Sequence, residues 1–151
     1  MHLIAPSVLS ANFGNLQADI EMINNSEADW FHVDVMDGVF VPNISFGFPV
    51  LKVLQKYAKK PLDVHLMIVD PDRYVQAFKD AGAEVLTVHY EACTHLHRSI
   101  QNIKSHGMKM NAELKCTLPI LEFRKKIGEW QGLLGSKLIE WEGKHRELMT
   151  S

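Results

Sequence analysis

The chain has 151 residues, 46% of them hydrophobic, and this length and apolar content predict one globular domain with a buried core. Its 16 basic and 18 acidic residues leave a formal net charge of −2 at pH 7. This balance offers no electrostatic attraction for nucleic acid or an anionic membrane, so neither is expected as a partner.

Strand-like and helix-like segments alternate along the chain, with a repeat of about thirty residues that is typical of βα units. The predicted strands cover residues 3–9, 29–35, 61–67, 85–90 and 108–114, the last being the weakest. Apolar residues at helical spacing lie between them, at Leu16, Ile20 and Ile23, at Val50, Val53, Leu54 and Tyr57, and at Leu96, Ile100 and Ile103. Repeated units of this kind predict a parallel sheet with right-handed crossovers.

Capping residues predict where two of the helices begin and end. Asp70, followed by Pro71, is expected to cap one helix, and Thr94 is expected to cap the next. Gly82 and Gly107 are expected to end them. In the long loop of residues 37–47, Asp37 is expected to stabilise a turn.

Polar residues recur on one face of two predicted strands, because side chains alternate between the faces of a strand. His32, Asp34 and Met36 share a face, and Asp63, His65 and Met67 share a face on the next strand; Ser7, Thr87 and His89 add polar groups elsewhere. If the two strands are neighbours, two imidazoles and a carboxylate converge on one point. Such a group can ligate a divalent cation, and its carboxylate can also accept a proton.

Each pattern also has a simpler interpretation when it is taken alone. His32 and Asp34 can both face water on an edge strand, and His65 can be a hydrogen-bonded core residue. His89 can be a wall residue or a satisfied core histidine. The two patterns together on adjacent strands favour a site.

These residues closely resemble the ribulose-phosphate 3-epimerase family. The matching segments are residues 5–11, 32–38, 40–47, 63–67 and 88–91, and the resemblance runs from the N-terminus to about Lys109. It implies a (β/α)8 TIM barrel and an isomerase of the pentose phosphate pathway. That isomerase interconverts D-ribulose 5-phosphate and D-xylulose 5-phosphate by inverting C3, so the implied partner is a small pentulose phosphate.

The resemblance also implies roles for individual residues. It assigns His32, Asp34 and His65 as ligands of one divalent cation, commonly zinc, iron, manganese or cobalt. It assigns Asp34 as one of two catalytic acid/base carboxylates. It assigns substrate contacts to Ser7, His65, Met36 and Met67, the two methionines forming a soft wall beside the developing enediolate.

The later part of the chain departs from the family pattern. No aspartate follows Asp80 and no Gly-Gly pair occurs, so the second carboxylate and the phosphate-binding loops of the family have no counterpart. We therefore expect a partial barrel of four to five βα units in residues 1–119 and a divergent tail in residues 120–151. A truncated or frameshifted reading frame would give this pattern. An inactive remnant that binds a metal or a partner without catalysis is thus the alternative to an active epimerase.

Three further expectations concern the tail, the assembly and the compartment. Helical spacing in the tail, at Leu134, Leu138, Trp141, His145 and Leu148, leaves an amphipathic helix and a disordered segment both open. The exposed edges of a partial barrel predict a homo-oligomer. Cys93 and Cys116 lack the spacing of a metal or redox motif, and neither a signal peptide nor a membrane-spanning stretch is evident. Together these observations predict a cytoplasmic protein with reduced thiols. A disulfide between Cys93 and Cys116 is the open alternative.

A different phosphate-sugar barrel enzyme, such as an aldolase, is the third function considered. A Schiff-base aldolase needs a lysine at the end of a strand. Lys52 and Lys59 lie on or beside a predicted helix, and Lys60 precedes a strand. The lysine positions therefore disfavour this function.

Overall fold

The computed structural model of the chain describes residues 3–113. Four strands form one parallel sheet in the order β1-β2-β3-β4, and the strands are β1 (Phe31–Met36), β2 (Leu62–Met67), β3 (Ala83–His89) and β4 (Lys109–Glu113). A helix precedes each strand: α1 (Leu16–Asn24), α2 (Phe48–Tyr57), α3 (Val75–Asp80) and α4 (Leu96–Ser105). This alternation confirms the predicted α/β class and a parallel sheet of the TIM-barrel type.

The first predicted strand, residues 3–9, is wrong as a regular strand. The segment lies along the outer edge of β1, where Pro6 accepts a hydrogen bond from the His32 amide and Ser7 forms an isolated parallel bridge with His32. Pro6 has no amide hydrogen to continue a ladder. The Ser7 hydroxyl then accepts a hydrogen bond from the Leu9 amide and opens a 3-10 turn at Val8–Ser10. Local capping therefore replaces strand pairing.

The predicted helix ends agree with the structure better than the predicted helix starts. Gly82 and Gly107 follow α3 and α4 with φ angles of 92° and 73°, which glycine adopts without strain. Asp70 precedes a 3-10 turn but takes the left-handed conformation, with φ of 49°, and makes no side-chain cap bond. Helix α4 begins at Leu96 with His95 in the cap position, so Thr94 as its cap is also wrong.

The core lies between the sheet and the helices. Phe31, Val33 and Val35 alternate along β1 and are at most 7% exposed. Ile20 of α1 and Leu54 of α2 are equally buried. Burial of this kind supplies most of the stability of an α/β protein and holds the opposite face of the sheet in a fixed register.

Several predictions fall beyond the part of the chain that the structure describes. The tail helix, the boundary at residue 119 and Cys116 all lie outside residues 3–113. Cys93 is a free thiol, and burial raises its pKa to about 11. None of the helices in the described part has the length and apolar character needed to cross a bilayer.

Candidate metal centre

The register of β1 and β2 creates a cluster of polar side chains on one face of the sheet. The two strands are parallel neighbours, with His32 paired to Asp63 and Asp34 paired to His65. The predicted adjacency of the two strands is therefore confirmed. Two histidines and two aspartates form a square of adjacent positions on the face opposite the core.

Asp34 lies at the centre of this cluster. Its Oδ1 is 3.1 Å from His32 Nε2 and 3.1 Å from His65 Nδ1, so both rings contact one carboxylate oxygen. Its Oδ2 accepts a hydrogen bond of 2.8 Å from the hydroxyl of Ser7. The edge segment that takes the place of the first predicted strand therefore brings Ser7 directly to the cluster.

The surroundings of Asp34 stabilise its ionised form. Burial opposes the charge, but the hydrogen bond from Ser7 and the neighbouring rings of His32 and His65 outweigh that effect. The pKa of Asp34 consequently lies below its ordinary value of 3.8. At neutral pH this side chain is a carboxylate that can only accept hydrogen bonds, coordinate a cation or take up a proton.

Asp63 orients His32, a role that sequence reasoning did not assign. Its Oδ2 lies 3.0 Å from His32 Nδ1, which leaves Nε2 of the same ring directed at Asp34. The hydrogen bond to Asp63 is the main reason that the pKa of His32 is raised above 6.5, with burial opposing it. The sequence contained a signal for this role, because Asp63 shares a strand face with His65 and His32 lies on the adjacent strand.

His89 is the second residue whose place in the network the sequence left open. Its Nε2 lies 2.8 Å from His65 Nε2, and both residues are buried. The β2–β3 register pairs His65 with Thr87. His89, two residues further along β3, is therefore the next side chain on the same face of the sheet. Each cluster histidine is therefore backed by a polar side chain from a neighbouring position.

The donor set fits a divalent transition metal. The cluster of His32, Asp34 and His65 offers one ligand atom each, and these atoms all lie within 4.8 Å of one another. Two imidazole nitrogens and one carboxylate oxygen suit zinc, iron, manganese and cobalt. A carboxylate behind His32 is also the usual second partner of a metal-ligating histidine.

The two predicted methionines flank the cluster. Met36 and Met67 are paired with each other, two residues beyond the pair of Asp34 and His65 and on the same face of the sheet. Both methionines are half-buried. The structure thus brings together all five predicted site residues of β1 and β2. It adds a polarizable thioether surface on the carboxyl-terminal side of the metal ligands.

The loop of residues 37–47 is fastened to the strand ends. Asp37 accepts hydrogen bonds from the amides of Val39 and Phe40, which confirms its predicted role in the turn, and from the amide of Val69 after β2. Ser45 donates to the Asp34 carbonyl and accepts from the Met36 amide. The loop is therefore held directly beside the strand that carries the central carboxylate.

A parallel sheet of βα units, with a two-histidine, one-carboxylate cluster that could hold a metal ion on the face opposite the core, places the protein in the (β/α)-barrel class. The sequence profile of the "Ribulose-phosphate 3 epimerase family" matches residues 3–134. The chain belongs to the ribulose-phosphate 3-epimerase family. This match continues past residue 119, beyond which the sequence motifs predict a divergent tail.

Curated relatives carry the same family name. The chain is 50% identical to "Ribulose-phosphate 3-epimerase" of Bacillus subtilis (strain 168) over 117 residues, which cover 78% of this chain and 54% of the relative. It is 48% identical to the protein of that name in Rhodobacter capsulatus over 116 residues, covering 77% and 51%. It is 45% identical to "Ribulose-5-phosphate-3-epimerase, chloroplastic" of Arabidopsis thaliana over 120 residues, covering 78% and 43%. The chain spans about half the length of the curated relatives it matches.

Proposed function

We propose that this protein is a ribulose-phosphate 3-epimerase that interconverts D-ribulose 5-phosphate and D-xylulose 5-phosphate. The observation that carries this proposal is the position of the ionised Asp34 between His32 and His65. Epimerisation at C3 requires a base that removes a weakly acidic proton and a means of stabilising the negative charge that follows. One compact group of side chains offers both.

The metal is proposed to be held by His32, Asp34 and His65. A divalent cation, such as zinc, iron, manganese or cobalt, would supply electrostatic stabilisation of the charge that develops on the substrate oxygens. The four candidate metals share the same donor preferences. A competition series of these cations against a chromophoric chelator would rank them for this chain.

Asp34 is proposed to be the base. Its Oδ1 contacts both imidazoles, so Oδ2, which is held by the Ser7 hydroxyl, is the oxygen that takes the proton as the C3–H bond breaks. The electron pair of that bond forms the C2–C3 double bond while the π pair of the C2 carbonyl moves onto its oxygen, which gives a planar enediolate. Return of a proton to the opposite face inverts C3; because the family's second carboxylate has no counterpart in this sequence, solvent water is the proposed source of that proton.

Substrate contacts are proposed for Ser7, His65, Met36 and Met67. The Ser7 hydroxyl lies within reach of any oxygen that approaches Asp34, because the two side chains are 2.8 Å apart. Met36 and Met67 offer an uncharged, polarizable wall that can pack against a planar intermediate without adding charge.

Domain division, compartment and assembly complete the proposal. We propose a barrel portion in residues 1–119, a tail of divergent sequence in residues 120–151, and action in the cytoplasm as a homo-oligomer. Among the described strands, β4 lies at the edge of the sheet, and an open edge favours pairing with another chain. Light scattering coupled to size exclusion tests the assembly, and a compact monomer would contradict it.

Isotope exchange tests the function. The full chain is incubated with ribulose 5-phosphate and a divalent cation in deuterated water, and C3 is analysed by NMR and mass spectrometry. Deuterium at C3 with inversion supports the epimerase. Deuterium without inversion supports Asp34 as a base but contradicts epimerisation by this chain, and no exchange contradicts the proposed function and favours a non-catalytic remnant.

Two variants separate the site from the rest of the chain. Asp34→Asn should lower the exchange rate by about 10²–10⁴-fold, because the amide cannot accept the proton. Asp80→Asn changes an exposed carboxylate at the end of α3 in the same way and should leave the rate unchanged. Equal rates in the wild type and Asp34→Asn would rule out Asp34 as the base.

A further inference from the structure

His65 and His89 form the shortest contact between two titratable side chains in the cluster. Their Nε2 atoms are 2.8 Å apart, and their ring centroids are 4.9 Å apart. A neutral imidazole has one N–H and one lone pair, so one ring must donate in this hydrogen bond while the other accepts. The direction of the bond therefore reports which nitrogen of each ring carries its hydrogen.

The surroundings of His65 set that direction in the metal-free protein. Asp34 is a carboxylate and can only accept, so His65 Nδ1 must carry the hydrogen in its 3.1 Å contact with Oδ1. His65 Nε2 then holds the lone pair. His89 Nε2 must consequently be the donor in the bond between the two rings.

A metal ligand at His65 requires the opposite arrangement. The ring nitrogen beside the Asp34 carboxylate is Nδ1, so Nδ1 is the atom that would have to present its lone pair to a cation held there. The hydrogen of a neutral His65 must then be on Nε2, where the partner is His89 Nε2. His89 must accept that bond and carry its own hydrogen on Nδ1.

We propose that His89 is a positioning residue that holds His65 in either tautomer, donating to His65 Nε2 in the metal-free protein and accepting from it when a metal binds. The inference rests on the proposed metal centre and extends it to a residue outside the ligand set. Each ring has one N–H before and after the change, so the pair neither gains nor loses a proton. The partner of His65 must be able both to donate and to accept at one atom, and an imidazole meets that requirement.

His32 provides the contrast within the same cluster. Its partner Asp63 accepts from Nδ1 at 3.0 Å, and the same bond suits the metal-binding form, in which Nε2 faces the cation. The partner of His32 can therefore be a carboxylate, because its hydrogen bond has the same direction with and without a metal. The partner of His65 is a histidine, and the direction of that hydrogen bond must change when a metal binds.

Long-range ¹H–¹⁵N NMR of the full ¹⁵N-labelled chain at about pH 8 reads directly which nitrogen of each ring carries the hydrogen. Without metal, we expect the hydrogen on Nδ1 of His65 and on Nε2 of His89. With one equivalent of zinc, we expect it on Nε2 of His65 and on Nδ1 of His89. Zinc binding without this exchange overturns the inference alone, whereas failure to bind zinc overturns the proposed metal centre together with it.

Two variants of His89 separate hydrogen bonding from packing. His89→Phe keeps a ring beside Phe40, whose centroid lies 4.9 Å from that of His89, but removes the hydrogen bond to His65. It should weaken zinc binding by about 10–100-fold. His89→Gln loses the ring but keeps a group that can donate or accept, and it should stay within about 3-fold of the wild type. The reverse order of affinities would make His89 a packing residue and overturn the inference.

Discussion

The two faces of strands β1 and β2 perform different tasks with side chains that alternate along the same backbone. On the helix-facing side, Phe31 and Val33 are fully buried among apolar residues. On the inward side, the side chains of His32 and Asp34 remain 27% and 13% exposed and contact charged or polar partners. One face therefore stabilises the fold, and the other keeps ionisable groups close together at some cost in stability.

This division predicts that stability and metal binding can be damaged separately. Removing apolar volume from the helix-facing side lowers the free energy of unfolding without altering the ligand set. Removing polar groups from the inward side weakens binding while the fold persists, because these groups bury little apolar surface. The predictions below follow this order, from the largest expected change in free energy to the smallest.

Phe31→Ala should lower the free energy of unfolding by about 3–5 kcal/mol, because it leaves a cavity under β1. Phe31→Leu is the matched control and should cost less than about 1.5 kcal/mol. Urea denaturation followed by circular dichroism measures both values. A loss below about 1 kcal/mol for the alanine variant would contradict the assignment of this face as the main source of stability.

Asp63→Asn should weaken zinc or cobalt binding by about 10–100-fold, because His32 loses the carboxylate that fixes its orientation. The free energy of unfolding should change by less than about 1 kcal/mol. Isothermal titration calorimetry of the metal and urea denaturation give the two numbers. An unchanged metal affinity combined with a large loss of stability would reverse the proposed division between the faces.

Asp37 lies in the loop after β1, where its carboxylate stabilises the loop by accepting hydrogen bonds from backbone amides. Burial opposes its charge, but hydrogen bonds from the amides of Val69, Val39 and Phe40 hold its pKa below 3.8. The ionised form is therefore favoured in the folded state. The contribution of Asp37 to the free energy of unfolding is complete above the pKa that the residue has in the unfolded chain. It is lost as the pH falls through the lower pKa of the folded state.

Replacing Asp37 tests the predicted direction of this pH dependence of stability. Asp37→Asn should lower the free energy of unfolding by about 1 kcal/mol at neutral pH, since an amide oxygen is a weaker acceptor than a carboxylate. The difference between the variant and the wild type should shrink on acidification. A difference that grows at low pH would contradict the assignment.

The sequence predicted the parts of this molecule that repeat. Alternation in residues 31–36 and 62–67 identified both strand faces and all three proposed metal ligands, because period-two burial leaves a clear pattern. It did not predict which polar residue backs each histidine. That choice depends on the register between strands, and Asp63 and His89 reach their partners only through it.

The failures have local causes. Residues 3–9 have the composition of a strand, but Pro6 and the turn opened by Ser7 leave them as an edge segment with one bridge. Asp70 has the composition of a cap, but its left-handed backbone prevents its side chain from capping. The first failure follows from one proline and one side-chain hydrogen bond, and the second from one backbone conformation. The periodicity of apolar residues indicates neither cause.

Anomalous diffraction from crystals of the full chain soaked with cobalt tests the central claim most directly. We expect one strong peak on the inward face of the sheet, about 2.0–2.2 Å from His32 Nε2, Asp34 Oδ1 and His65 Nδ1. A peak that lacks any one of these three atoms in its coordination, or ordered crystals with no peak at the cluster at saturating cobalt, would contradict the account.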